Sequence, residues 1–332
     1  MSDHQELALT VLLPTYNREP LLKEAIESLF QQTLDPRRFV VLVIDNCSAD
    51  NTPQMIEEIR ARSPFEIIYK RMEKNGGCFG SLNVGIEESQ TEIIASFDSD
   101  CWADPKWLEN GLDGFKDGDV AFVAGHIADK PGQPVGFFSV RNGAPSGENP
   151  FYPSGNCFYR KSVVKQFGGF DEKLSYGDMG TSPIGCADSD LAWRMVEAGL
   201  KHVYRGDSVV YHEVTTLKPV PWLKVHWRMV SIPALIRRHP GLRSHLKWGL
   251  FFLPGSIPFY VALLSLLLAL SSPWFLLGTL PYLVESARVP GRALSLGRLL
   301  RLPARLVMLS LRQVVITTSL AYGSWRARTL VL

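Results

Sequence analysis

Apolar residues in the first 130 positions follow two alternating patterns. Short runs of aliphatic and branched residues (Leu9–Pro14, Phe39–Ile44, Phe65–Tyr69, Ile93–Phe97 and Val120–Ala124) contain few polar side chains, as strands buried on both faces do. Between them the spacing changes. Leu22, Ala25, Ile26, Leu29 and Phe30 recur at three- and four-residue intervals and predict a helix over Leu21–Gln32; further helices are expected near Pro53–Arg62 and over Leu82–Glu88. Alternation of this kind predicts an α/β domain with a mainly parallel sheet. Residues 129–187 are rich in Gly, Pro, Ser and Asn and read as loops with short elements. A helix over Asp188–Ala198 and a strand over Lys201–Arg205 follow.

The pattern changes again near Trp248. Leu250–Leu270 is 21 residues without a charge, long enough to cross a bilayer core of about 30 Å. After Ser271, Ser272 and Pro273, a second apolar run covers Trp274–Val284. Arg237, Arg238, Arg243 and Lys247 precede this pair, and Arg288, Arg292 and Arg298 follow it. Basic flanks on both sides place both ends in the cytoplasm, so a hairpin dipping into or crossing the membrane is expected over about 249–285. Two further stretches read as interfacial. One is "PWLKVHWRMV" (221–230). The other is 294–322, where Arg298, Arg301, Arg305 and Arg312 fall at helical spacings among Leu and Val.

Charge sharpens this division. The chain of 332 residues has a net charge of only +2. Beyond Glu213, however, it carries fifteen Lys and Arg against one acid, Glu285, whereas residues 1–213 carry 20 basic and 32 acidic residues. An acidic globular domain, 1–215, thus precedes a basic, apolar region, 216–332. The basic charges are interleaved with aliphatics, which argues against a nucleic-acid surface. Five scattered cysteines without metal-ligand spacing predict free thiols in a reducing compartment. The first ten residues lack the pattern of a secretory signal.

Ligands of open α/β sheets bind beyond the carboxyl ends of the strands, so the residues just past each apolar run carry the candidate chemistry. "SFDSDCWAD" follows Ile93–Ala95. Asp98 and Asp100 flank one residue and would point the same way if the chain stayed extended. Paired carboxylates suit a hard divalent cation. Asp104 before Pro105 reads instead as a helix cap. In "VIDNCSADNT", Asp45 ends a strand and could accept hydrogen bonds from a nucleobase or ribose, while Asp50 is the better cap candidate. "NGGCFGSLNVG" allows close backbone approach to a phosphate but matches neither common nucleotide-binding glycine fingerprint. Asp188 precedes a helix on which Asp190 and Arg194 are spaced as an ion pair. His212 ends an apolar strand.

Taken together and in order, "VLLPTYNR", "VIDNCSADNT", "NGGCFGSLNVGI", "FDSD", "GNCFYRKSVVKQFGGFDEKL" and "ADSDLAWRMVEAG" resemble the family 2 glycosyltransferases over about residues 9–213. The resemblance implies a GT-A fold: a mixed, mainly parallel sheet flanked by helices, here followed by a helical membrane-associated region. It implies a nucleotide-sugar site at Pro14, Thr15, Asn17, Asp45, Gly76, Gly77, Asn83 and Asp98. It implies Mg²⁺ or Mn²⁺ held by Asp98, Asp100 and His212, and Asp188 as catalytic base. Gly155, Asn156 and Asp190 fall on the acceptor side. The implied partners are a nucleotide-sugar donor, most simply a UDP-sugar, a lipid-linked or glycan acceptor, and membrane lipid at the cytoplasmic face. Two departures stand out: Ala187 replaces a Glu that many members place before the base, and Leu82 replaces an Arg before Asn83. The alternatives are a catalytically weak membrane scaffold with a degenerate transferase domain, and a sugar-nucleotide nucleotidyltransferase.

Overall fold

The structure, a computed structural model, describes residues 7–143, 147–176, 184–288 and 296–332. Arg292 lies outside the described residues, as do the side chains of Arg298 and Arg301. The chain forms two compact units, Met1–Leu217 and Lys218–Leu332.

In the first unit the predicted alternation is realised as β1 (Leu9–Thr15), α1 (Glu19–Ser28), β2 (Phe39–Asp45), α2 (Thr52–Arg60), β3 (Glu66–Arg71), α3 (Gly77–Glu88) and β4 (Ile93–Phe97). Every residue of β1, β2 and β4 is buried, which is why these strands read as unbroken apolar runs. Of these four strands only β3, at the edge, has exposed residues, Glu66 and Arg71 at its ends. Then come β5 (Cys101–Ala103), α4 (Trp107–Asp113), β6 (Val120–Asp129), β7 (Ser139–Val140), β8 (Asn156–Arg160), α5 (Lys161–Gln166), β9 (Ser175–Tyr176), β10 (Ile184–Gly185), α6 (Ala187–Glu197), β11 (Lys201–His212) and β12 (Thr215–Thr216).

Among the described residues the main sheet has eight strands in the order β3-β2-β1-β4-β8-β6-β11-β5. The first four are parallel, β8 runs against both of its neighbours, and β5 runs against β11. The register aligns Thr15 with Asp45 and Leu12 with Ser96. The carboxyl ends of β1, β2 and β4 therefore open on one edge, where a ligand of such a sheet binds. Strand β8 was hidden inside the stretch read as loops, because its five residues mix Asn, Cys and Arg with Phe and Tyr. α3 begins five residues before its predicted start, at Gly77, whose φ of +73° suits a residue without a Cβ.

The second unit is helical: α7 (Pro219–Val225), α8 (Ile232–Arg238), α9 (Ile257–Leu268), α10 (Leu280–Ala287) and α11 (Leu296–Ala327). The charge-free run Leu250–Leu270 is not a single helix. Pro254 opens a short 3-10 turn and Pro258 sits in the first turn of α9, where a missing N–H costs least. Pro273 and Pro281 likewise divide the second run into a 3-10 segment, Pro273–Thr279, and α10. Among the described residues, the one helix with the length and composition of a membrane span is instead Leu302–Ala327, which overlaps the stretch 294–322 expected to lie at an interface. In the other stretch expected there, Trp222 is 3% exposed and packs against His226 and the Arg312 guanidinium inside the unit.

Candidate active site

A tight turn, not an extended strand, brings the two aspartates together. Beyond Phe97 the chain reverses, Cys101 N–H bonds Asp98 C=O at 3.1 Å, and β5 starts at Cys101. β5 pairs with the end of β11, placing His212 opposite Cys101. One ligand atom each from Asp98, Asp100, Cys101 and His212 then lie within 4.8 Å of one another. His212 Nε2 is 3.5 Å from Asp100 Oδ1. Its Nδ1 faces Glu213 C=O at 2.9 Å, and Asn142 Nδ2 lies 3.0 Å from Nε2. The Glu213 contact orients the ring, as supports around metal-binding imidazoles do, and turns Nε2 toward Asp100, where the Asn142 amide also meets it. Arg18 reaches Asp100 Oδ2 at 2.6 Å.

Asp98 lies beside Gly155, just beyond the paired ends of β4 and β8. A Cβ on Gly155 would stand 2.6 Å from Asp98 Oδ2, so any side chain there would push the carboxylate aside. Burial and the neighbouring Asp100 charge push the Asp98 carboxyl up to about 6, against the opposing pull of His212 and Arg18.

Asp188 lies in the first turn of α6. Ser189 N–H donates to Oδ1 at 2.8 Å and Ser154 N–H to Oδ2 at 3.2 Å. Both donors favour the charged form, yet burial outweighs them and Asp98 adds repulsion, so the carboxyl rises to about 6. Asp98 and Asp188 are thus two buried acids, close enough to repel each other, with raised affinity for protons.

Residues 10–168 match the sequence profile of glycosyl transferase family 2. Residues 10–168 of this unit are a family 2 glycosyltransferase domain. Its relatives include the glycosyltransferase AglE of Haloferax volcanii, 25% identical over 273 residues, 75% of this chain and 81% of that protein. They also include the pre-mycofactocin glycosyltransferase of Mycobacterium tuberculosis, 27% identical over 221 residues, 63% of this chain but only 43% of that longer protein. Among solved structures, the mannosyltransferase PcManGT of Pyrobaculum calidifontis, in complex with GDP-Man and Mn²⁺, shares the fold at TM-score 0.57 and 16% identity, over 97% of this chain and 88% of its own. TarS of Staphylococcus aureus (residues 1–349, with UDP-GlcNAc) does so at TM-score 0.51 and 17% identity, over 97% and 92%. The fold is GT-A.

The glycosyltransferase domain places its other expected residues unevenly. Pro14, Thr15 and Asn17 form the lip of the sheet edge. Thr15 Oγ1 is buried without a protein partner. Asn17, at φ 49°, bonds Ser48 Oγ through its N–H and accepts from Ala49 N–H. Gly76 N–H bonds Asn46 Oδ1 at 2.8 Å and Gly77 N–H bonds Asn75 Oδ1 at 2.9 Å, tying the glycine turn to the end of β2. Asp45 differs from expectation. It is fully buried, with Ser48 N–H on Oδ1 at 2.8 Å and the Tyr69 hydroxyl on Oδ2 at 2.5 Å. It shapes the loop, and pairing with a base would require Tyr69 to release it.

Three expected contacts are replaced by structural roles. Asn83 spends its amide on Phe170 N–H, Phe170 C=O and Glu172. Asn156 is 1% exposed; it accepts from Trp107 Nε1 and donates to the carbonyls of His126 and Ser208, so it locks β8 to β6 and β11. Asp190 is fully buried and pairs with Arg194 at 2.8 Å, as the i,i+4 spacing suggested. Arg194 also holds the carbonyls of Phe167 and Gly169. Asp190→Ala should therefore cost about 3 kcal/mol of stability by stranding a buried charge; chemical denaturation reads it, and a change under about 1 kcal/mol would contradict the structural role.

Arg18, Ser154, Asn142 and Tyr69 complete the site and escaped sequence reasoning. Arg18 directly follows the Asn17 loop, and Ser154 directly precedes Gly155, so adjacency was the available signal. Asn142 and Tyr69 arrive from distant segments and leave none.

Proposed function

We propose that the first unit transfers a sugar, with inversion, from a nucleotide-diphosphate sugar to a hydroxyl of a lipid-linked or glycan acceptor. The observation that carries this reading is the convergence of Asp98, Asp100 and His212 beside Asp188, at the carboxyl ends of the parallel strands. The donor set fits a divalent cation: two carboxylates and an oriented imidazole suit Mn²⁺ better than Mg²⁺, which prefers oxygen alone. Held there, the metal supplies a Lewis acid for the charge that develops on the leaving diphosphate.

The chain's own residues do the rest. Thr15, Asn17 and the Gly76–Gly77 turn present a hydroxyl and backbone to the nucleotide. The Arg18 guanidinium, anchored on Asp100, adds a fixed positive charge at the diphosphate end of the cleft; this supports a nucleotide site without the basic residue that Leu82, fully buried, does not provide. Asp188 accepts the proton of the acceptor hydroxyl as the oxygen bonds the anomeric carbon. Ser154 and Ser189 N–H hold its two oxygens, fixing which lone pair faces the acceptor. Attack from the Asp188 side, opposite the diphosphate, inverts the anomeric centre.

Only ionised Asp188 can accept that proton. A carboxyl raised to about 6 predicts that, at saturating metal, transfer falls about tenfold per pH unit below about 6 and is level above it. A rate profile flat from pH 5 to 8 would remove Asp188 from the rate-determining proton transfer.

The apolar second unit supports placement at the cytoplasmic face of a membrane, where tethering raises the local concentration of a lipid-linked acceptor. A screen of UDP- and GDP-sugars tests the function: metal-dependent release of nucleoside diphosphate, abolished by EDTA, is expected. Turnover of none would favour the scaffold reading. Pyrophosphate release from a nucleoside triphosphate and a sugar 1-phosphate would favour the nucleotidyltransferase.

A further inference from the structure

The second unit carries an unusual projection. α9 and α10, joined through the 3-10 segment Pro273–Thr279, form a hairpin with no charged residue from Trp248 to Val284. Its base is tied into the unit. Ser256 Oγ bonds Gln313 at 2.9 Å, the Tyr260 hydroxyl takes a bond from Thr317 at 3.1 Å, and the Tyr282 hydroxyl meets Ser310 Oγ at 3.0 Å, so α11 braces both limbs. The Phe259 and Tyr282 rings close the limbs on each other at 5.5 Å. Beyond these ties the hairpin is uncharged and exposes mainly apolar side chains. Leu267 is 61% exposed, Leu277 57%, Leu270 91% and Trp274 77%. Water disfavours so large a contiguous apolar surface.

We propose that this hairpin buries its tip in a single leaflet of a phospholipid bilayer and does not cross it. The proposal rests on the membrane placement above and specifies its geometry. Three observations carry it. First, the part of α9 beyond these ties, from Val261 to Leu268, is eight residues, about 12 Å of helix, less than half of a core about 30 Å thick. Second, the tip hydroxyls are turned inward: Ser271 Oγ donates to Leu268 C=O at 2.7 Å and Thr279 Oγ1 to Leu276 C=O at 2.7 Å. Ser271 and Ser272 N–H also return to Leu268 C=O. Lipid requires polar groups to be satisfied within the segment in this way, whereas a tip emerging into water on the far side would present polar or charged groups. Third, the cationic groups sit at the base. Lys247 lies 5.6 Å from the Trp248 ring, and Arg305 donates to the carbonyls of Ser286 and Arg288. Basic and aromatic residues at that level match anionic headgroups.

The full chain carrying S271C, or K247C as a base reporter, is expressed in a bacterial host and exposed to membrane-impermeant PEG-maleimide. Each is compared with the parent chain to subtract its native cysteines. S271C should gain no addition in spheroplasts or inverted vesicles and one after detergent; K247C should gain one in inverted vesicles. A bimane on the S271C thiol, in bilayers of phosphatidylethanolamine and phosphatidylglycerol, should be quenched several-fold by lipid brominated on its acyl chains. Labelling of S271C in spheroplasts would mean the hairpin crosses and would overturn the proposal. Labelling in inverted vesicles, or protection without bromine quenching, would place the tip in water or against a second copy and would overturn it too. Recovery of the parent chain in the soluble fraction without detergent would instead remove the membrane placement itself.

Discussion

Asp188→Asn is expected to lower glycosyl transfer by about 10³-fold, the range associated with a positioned general base, while leaving nucleoside diphosphate affinity within a few-fold. The asymmetry follows from where Asp188 sits. Among the described residues its carboxylate is held by Ser154, Ser189 and its own backbone N–H, none of them in the loops that hold the nucleotide. The same substitution should stabilise the unliganded protein. Because burial raises the folded-state carboxyl to about 6, above the unfolded value, its charge costs stability progressively from about pH 4 to about pH 6 and by a constant amount above that. Asn removes that cost, worth about 1–3 kcal/mol at pH 7.5. Thermal unfolding at pH 4 and pH 7.5 should show the gain only at the higher pH. A destabilised Asp188→Asn variant at pH 7.5 would mean the carboxylate is held by attraction rather than by burial, and would undercut the pH limb as well.

Asp100→Ala is the second large effect. The Asp100 carboxylate stands at the centre of the acidic cluster, within reach of both His212 Nε2 and Arg18. Removing it takes away one of three donors and the counter-charge that positions Arg18. Mn²⁺ affinity should fall by more than 10²-fold, by analogy with the tenfold or larger losses seen when even supporting groups are removed, and transfer should fall by about 10²- to 10³-fold, the loss expected when Lewis-acid assistance of several kcal/mol is removed. Titration calorimetry with Mn²⁺ and rates at saturating nucleotide sugar read the two separately. Unaltered Mn²⁺ affinity would move the metal away from this cluster.

These residues were legible in the sequence to different depths, for physical reasons. Strands buried on both faces, such as β1, β2 and β4, announce themselves because most of their positions must be apolar, Thr10, Asp45 and Ser96 being exceptions. Asp98 and Asp100 were found because they directly follow such a run, although the turn that unites them was not foreseen. His212 could be suspected only from its strand end; its meeting with Asp100 depends on the pairing of β5 with β11, a contact across 111 residues of chain. β8 was missed because it runs antiparallel between β4 and β6 with Asn156 as its first residue. Asn156 and Asp190 show the opposite error. Polar residues inside a motif invite a chemical role, but both are enclosed and fully bonded, and a sequence does not distinguish a buried amide that locks strands from one that meets a ligand. In the second unit, hydropathy located the apolar runs, while the prolines at 254, 258, 273 and 281 decided where helices could start.

The central claim is that Asp188 drives attack from the face opposite the diphosphate. Proton NMR of the sugar released when the domain hydrolyses an α-linked nucleotide sugar in Mn²⁺, with water as acceptor, tests it directly. The account predicts that the β-anomer appears first and decays to the mutarotation equilibrium, and that neither anomer is released above background by Asp188→Asn; first appearance of the α-anomer would contradict it.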